Sequence, residues 1–212
     1  MCAAAFAQPK YPRMAAADQY LMADRNAEIA LARSAAPASI SAQAEVLVLG
    51  RKGFETAAKG TNGFVCAVSR GFTAAFDDPV FWNPKIRGPI CFNAAAVHTY
   101  LPIMIARARW VMAGKSIAQM QEATKAAFDK REFAPQEPGA MCYMLSKQQY
   151  LTDAGVAWRP HLMFFVPLKD AKSWGAGLDG SPILQSDDAA DRLTVLMIPV
   201  ARWSDGTADS HP

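Results

Sequence analysis

The tightest constraint on the fold is a set of six short apolar runs: Glu45–Leu49, Phe54–Ala58, Phe64–Ser69, Ala140–Leu145, His161–Val166 and Leu193–Val200. Each is too short for an ordinary helix, and each reads as a strand. Their near-continuous apolar character predicts a sheet covered on both faces, because a sheet with one wet face shows clean alternation. Gly50 and Gly53 bracket a turn between the first two runs. Asn62-Gly63, a hairpin dipeptide, predicts that the second strand turns back onto the third.

Helical patterns fill the gaps. Ala16, Tyr20, Ala23, Ala27, Ala30 and Leu31 recur at spacings of three and four, which predicts an amphipathic helix over residues 14–35. Asn93 is a candidate cap for a helix from Ala94, Pro102 begins a new segment within it, and Gly114 stops it. Ser116 with Gln119 forms a capping-box pattern ahead of Met120, Ala123 and Ala127. Together these elements predict an α+β fold: an antiparallel sheet of about six strands, with the N-terminal helix and a central helical pair packed on it. At 212 residues the chain suits one domain, placed at residues 14–206. Residues 1–13 are expected to be a leader remnant and flexible arm, and residues 207–212 a frayed tail.

Charge and hydropathy exclude two kinds of partner. The net charge is +3 and basic residues cluster only in pairs such as Arg51-Lys52 and Lys130-Arg131, so no stripe follows a phosphate backbone and nucleic acid is not expected. The longest helical apolar stretch is broken by Arg107 and Arg109, so no membrane span is expected.

Ala5-Phe6-Ala7 before Gln8 matches the end of a secretory signal, which predicts a periplasmic or secreted protein. Whether Cys2 carried a lipid anchor is left open by the sequence. In an oxidising compartment Cys66, within an apolar run, and Cys91, in a stretch punctuated by Gly88-Pro89, are the natural disulfide pair. Such a link would stabilise by about 3–4 kcal/mol in the chain-entropy model. The alternative is that Cys66, Cys91 and Cys142 are all buried thiols; Cys142 has no assigned role.

Chemistry is sparse in the sequence. Gly175-Ala176-Gly177-Leu178-Asp179-Gly180 has dinucleotide-loop spacing but lacks a preceding strand and a following helix, so it reads as a turn. Tyr143 and Lys147 have the spacing of a short-chain dehydrogenase pair without the helix that pair needs. No cofactor is expected, and no spacing specifies a metal site. His161 opens a strand after Trp158-Arg159-Pro160, so its imidazole is a candidate general base at a cavity mouth, with Arg159 as an anion partner. His98 lies on the Asn93-capped helix. Residues 71–93 read as a long ordered loop in which Trp82, Asn83, Lys85 and Arg87 combine a flat apolar face with an amide and two cations. Trp82, Asn83, Arg87, His98, Trp158 and Arg159 are therefore the candidate binding residues, for an anionic or aromatic small molecule.

The segments Thr61–Cys66, Phe81–Asn93, Pro160–Phe165 and Ala201–Gly206 resemble a group of uncharacterised exported bacterial proteins. The resemblance spans most of residues 14–206; it implies export and favours the cysteine pair, and it carries over no activity or catalytic residue.

The leading expectation is a periplasmic small-molecule-binding or sensing domain with its pocket between the sheet and the 71–93 loop. One alternative is a cofactor-independent hydrolase or lyase with His161 as general base and Asn83 or Asn93 as oxyanion donor. Another is a surface interaction protein without a pocket.

Overall fold

The computed structural model describes residues 10–153 and 158–210; residues 1–9 of the expected leader and arm, Cys2 among them, and His211 lie outside these residues. Its centre is an eight-stranded mixed sheet, mostly antiparallel, in the order β2-β1-β3-β4-β5-β6-β8-β7. The strands are β1 (Glu45–Gly50), β2 (Gly53–Ala58), β3 (Val65–Ser69), β4 (Gly88–Phe92), β5 (Met141–Met144), β6 (His161–Pro167), β7 (Leu184–Asp188) and β8 (Leu193–Pro199). All six predicted strands are present. The two additional ones, β4 and β7, are the two with the weakest strand composition: β4 opens Gly-Pro and β7 is Leu-Gln-Ser-Asp-Asp, exposed along most of its length.

Pro89 sits in the middle of the sheet because its missing N–H faces an edge that needs no donor. The Asn93 N–H donates to the Met141 carbonyl, so strand alternation turns Cys91 and Pro89 toward β5 as well, yet the β4–β5 ladder covers only Cys91 and Phe92.

The predicted β2–β3 hairpin is corrected. β2 does pair β1 antiparallel, but β3 lies on the other side of β1 and runs parallel to it through Glu45↔Val65 and Val46↔Cys66. The 59–64 segment crosses the start of β1 instead of turning tightly. Gly60 lies so close to the chain there that an added Cβ would come within 2.1 Å of the Glu45 nitrogen. The Thr61 N–H donates to the Gln43 carbonyl, and the Asn62 amide bridges from the Ile40 carbonyl to the Phe64 N–H. Asn62 therefore serves a crossover, using the same side-chain-to-backbone bonding that makes it a turn residue.

The predicted long N-terminal helix is a 3-10 turn, Ala17–Tyr20, followed by α1 (Arg25–Arg33), which begins where the Asp24 carboxylate accepts the N–H groups of Asn26 and Ala27. After the short α2 (Ala38–Ser41) come α3 (Ala94–Thr99), α4 (Leu101–Met112) and α5 (Ile117–Asp129). Asn93 caps α3, Pro102 lies in the first turn of α4, and Ser116 and Gln119 make the capping box of α5.

Both faces of the sheet are covered. On one, α1 packs over β1, β3 and β4, burying Ala32, Ala35, Val46, Cys66, Val68 and Cys91 together. The 3-10 segment Leu168–Trp174 covers β6 and β8 beside it. On the other face Leu47, Ala67, Ile90, Phe92 and Phe165 meet α3 and α4. Here the expected helical pair is corrected: α5 packs on α4, through Ile103, Ala106, Ala127 and Phe128, and forms an outer layer.

Cys66 and Cys91 are directly opposed on β3 and β4 and form the expected disulfide, with both side chains fully buried. Residues 201–210, whose end was expected to fray, close into a loop. The Ser204 N–H donates to the Leu145 carbonyl, the Asp209 N–H to the Ala201 carbonyl, and Arg159 pairs with Asp209 at 2.8 Å.

Candidate functional site

The strongest candidate site is a cavity of about 220 Å³ between the central sheet and the 69–86 segment. Period-two alternation supplies its floor. His161 and Met163 on β6, Val195 and Met197 on β8, Ser186 and Asp188 on β7, and Met144 on β5 hold register positions that point to one face, and all line the cavity. Met104 and Tyr100 close it from the helical side, and Gly71, Thr73, Ala74 and Ala75 form the facing wall. Gly71 is required by close approach: an added Cβ would sit 2.3 Å from the Val80 carbonyl oxygen. The walls are mainly apolar, with a few polar groups at fixed points, the usual character of a small-ligand cavity.

His161 is the chemically distinctive group. It is 4% exposed, and its Nδ1 lies 2.8 Å from the Arg159 carbonyl oxygen. A carbonyl only accepts, so Nδ1 carries the proton and Nε2 is left as the acceptor, with no hydrogen-bond partner among the described residues. Burial depresses the imidazole pKa below its usual 6.5, against the opposing pull of that carbonyl, and so favours the neutral ring. Trp158, about one-third exposed, also lines the cavity, with its ring 5.6 Å from the imidazole.

Tyr100 stacks on Phe165 at 3.9 Å, and burial raises its phenol well above the ordinary range, so it stays a neutral hydroxyl. Arg70 lines the cavity without offering it a charge. Its guanidinium donates to Glu28 at 2.7 Å and to the carbonyls of Tyr20 and Val68. The acids along the wall are Asp78, which caps the Val80 N–H, and Asp188, which accepts the Asp191 N–H.

The remaining sequence-derived candidates lie elsewhere. Trp82 is packed in the core with Tyr20, Phe72, Phe76 and Phe81, edge-on to Phe81 at 4.6 Å, and does not line the cavity. The Asn83 oxygen accepts the Lys85 N–H while its Nδ2 is buried with no hydrogen-bond partner among the described residues, again away from the cavity walls. Arg87 donates to the carbonyls of Pro84, Ile86, Leu21 and Gln19, and burial, followed by the charge of Arg70, lowers its pKa to about 10. His98 is exposed and bonded to Glu137. Arg159 turns its side chain to Asp209 and gives His161 only its carbonyl.

The oxyanion donors of the enzyme reading are also occupied or distant. Asn93 accepts from Ala96 and Met141 and donates to Gly139, which uses its amide structurally. Cys142 stands opposite Met163, diagonal to His161, but it does not line the cavity. Its burial pushes the thiol pKa well up, away from the thiolate a nucleophile needs.

Strand alternation already places Met163 on the His161 side in the sequence, whereas Met104, Met144 and Met197 were missed as cavity walls. Met144 and Met197 come to the His161 face only once β5, β6 and β8 are neighbours, and Met104 reaches it from α4. Among the described residues, no group of three or more His, Cys, Asp or Glu side chains is placed to hold a metal ion. No helix there is long and apolar enough to cross a membrane. Comparison with protein-family models, curated proteins and solved structures gives no match.

Proposed function

We propose that this chain is an exported binding domain for a small, largely apolar molecule, held in the cavity between the sheet and the 69–86 segment with a hydroxyl or amine donating to Nε2 of His161. The observation that carries this reading is the buried imidazole at a mainly apolar cavity wall, its Nδ1 held by the Arg159 carbonyl so that Nε2 is left as the acceptor. A volume of about 220 Å³ suits a ligand of about one ring, below the range of drug-sized sites. The occupied guanidinium of Arg70 and the acids Asp78 and Asp188 favour a neutral or amine-bearing ligand over an anion. Export is supported by the Cys66–Cys91 disulfide, a bond that persists in oxidising compartments.

Native mass spectrometry of protein purified from its exporting host tests the reading. A retained adduct is expected, and it should be lost in Met163→Trp, which fills the cavity, and weakened in His161→Phe. An adduct equally abundant in both variants, or none in the wild type, would overturn the proposal.

A further inference from the structure

A second cavity, of about 480 Å³, lies at the end of α5, where the 131–136 segment meets the β7–β8 turn. Its walls include Phe128, Arg131, Phe133, Gln136, Asp191 and Arg192. Arg131 and Arg192 are the two non-glycine residues with positive φ among the described residues, at 60° and 57°. Arg131 occupies the position just past the α5 cap and Arg192 the last position of the hairpin turn, both places where glycine fits without strain. That the chain holds an arginine at each, against its backbone preference and facing one cavity, points to a use for the side chains.

We propose that this cavity binds a small aromatic carboxylate bearing an N–H or O–H donor. The two guanidiniums supply planar, bidentate recognition of the carboxylate. Among the described residues Arg131 has no ion-pair partner, and Arg192 shares Asp129 with Lys125, so Asp129 keeps a cation when Arg192 turns to a ligand. Phe128 and Phe133, edge-to-face at 5.4 Å with the Arg192 guanidinium 4.8 Å over the Phe128 ring, form an aromatic floor. The Oε1 atom of Gln136 is buried with no hydrogen-bond partner among the described residues, an acceptor for the ligand's donor. Asp191 in the same wall does not repel the carboxylate as a bare charge, because Arg107 pairs with it at 2.6 Å.

Calorimetric titration of the whole chain with indole-3-acetate tests the assignment. Binding is expected, and Arg131→Asn and Arg192→Asn should each weaken it about tenfold, the loss of one charge-assisted contact. Asparagine tolerates the left-handed backbone, so both variants should keep the wild-type melting temperature. Tryptophol, without the carboxylate, and 1-naphthaleneacetate, without the N–H, should bind more weakly than indole-3-acetate, and His161→Phe should leave its affinity unchanged. No binding at millimolar ligand, wild-type affinity in both arginine variants, either analogue binding as tightly as indole-3-acetate, or loss of binding in His161→Phe would each overturn the proposal.

Discussion

The 71–86 segment has two sides, and they behave oppositely. Toward β1, β2 and α4 it sends Phe72, Phe76, Phe81 and Trp82, which interlock with Tyr20, Leu49, Val111 and Met120 into a close-packed aromatic plug. Toward β5–β8 it presents Gly71, Thr73, Ala74 and Ala75, and the facing strands answer with methionines, leaving the cavity of His161. Large rigid rings fill space efficiently, whereas small residues opposite flexible thioethers leave room that side chains can adjust around. An aromatic-rich segment is therefore a poor guide to a pocket, and the small residues between its rings are the better one.

Arg107 marks the border between the two regions, and breaking it should have the largest effect. Its guanidinium lies 4.2 Å from the Phe76 ring centroid, donates to the Ala74 carbonyl and pairs with buried Asp191. Arg107→Met leaves that carboxylate unpaired and should cost about 3–5 kcal/mol in denaturant unfolding. A loss below 1 kcal/mol would mean the border holds without the pair.

Truncation on either side should then separate the regions. Phe81→Ala is expected to cost about 3–5 kcal/mol, since a ring is removed from a packed core, while Met163→Ala, half-buried beside existing space, should cost about 1 kcal/mol. Equal losses would show that the two sides are packed alike.

The smallest effect is a pH dependence. The folded His161 pKa lies below 6.5, so the unfolded chain takes up its proton first, and stability should fall as pH drops below 6.5 toward the folded value. Asp191 acts with opposite sign: burial, reinforced by Asp188 and opposed by Arg107, raises its carboxyl from 3.8 to about 7, so its contribution is lost as pH rises through that window. The check is therefore the difference in melting temperature between wild type and His161→Gln at pH 7 and pH 5, in which Asp191 cancels. A difference that does not change with pH would rule out a buried neutral imidazole.

Much of this architecture was legible locally. Asn93, Pro102 and the Ser116–Gln119 box act within one helical turn, and the apolar runs announce six strands without reference to their neighbours. What could not be read depends on partners distant in sequence. β4 is hidden by a proline tolerated only because the ladder to β5 stops short of it, and β7 by a polar composition that works only at the sheet edge. Asn62-Gly63 carries the same dipeptide signal for a hairpin as for the crossover it makes. At the site, His161 and Trp158 could be nominated from strand position, whereas the burial of Trp82 and the exposure of His98 follow from which surfaces α4 and the 71–86 segment cover.

The Cys66–Cys91 link also bears on the order of assembly. Both sulfurs lie beneath α1, with Ala32, Ala35 and Ala36 packed over them and no exposed surface of their own. An oxidant or an exchanging thiol needs access to the sulfur it attacks, and the finished fold grants none. Bond formation therefore precedes the docking of α1 over the two sulfurs, and once that helix closes the link is shielded from reductants as effectively as from oxidants.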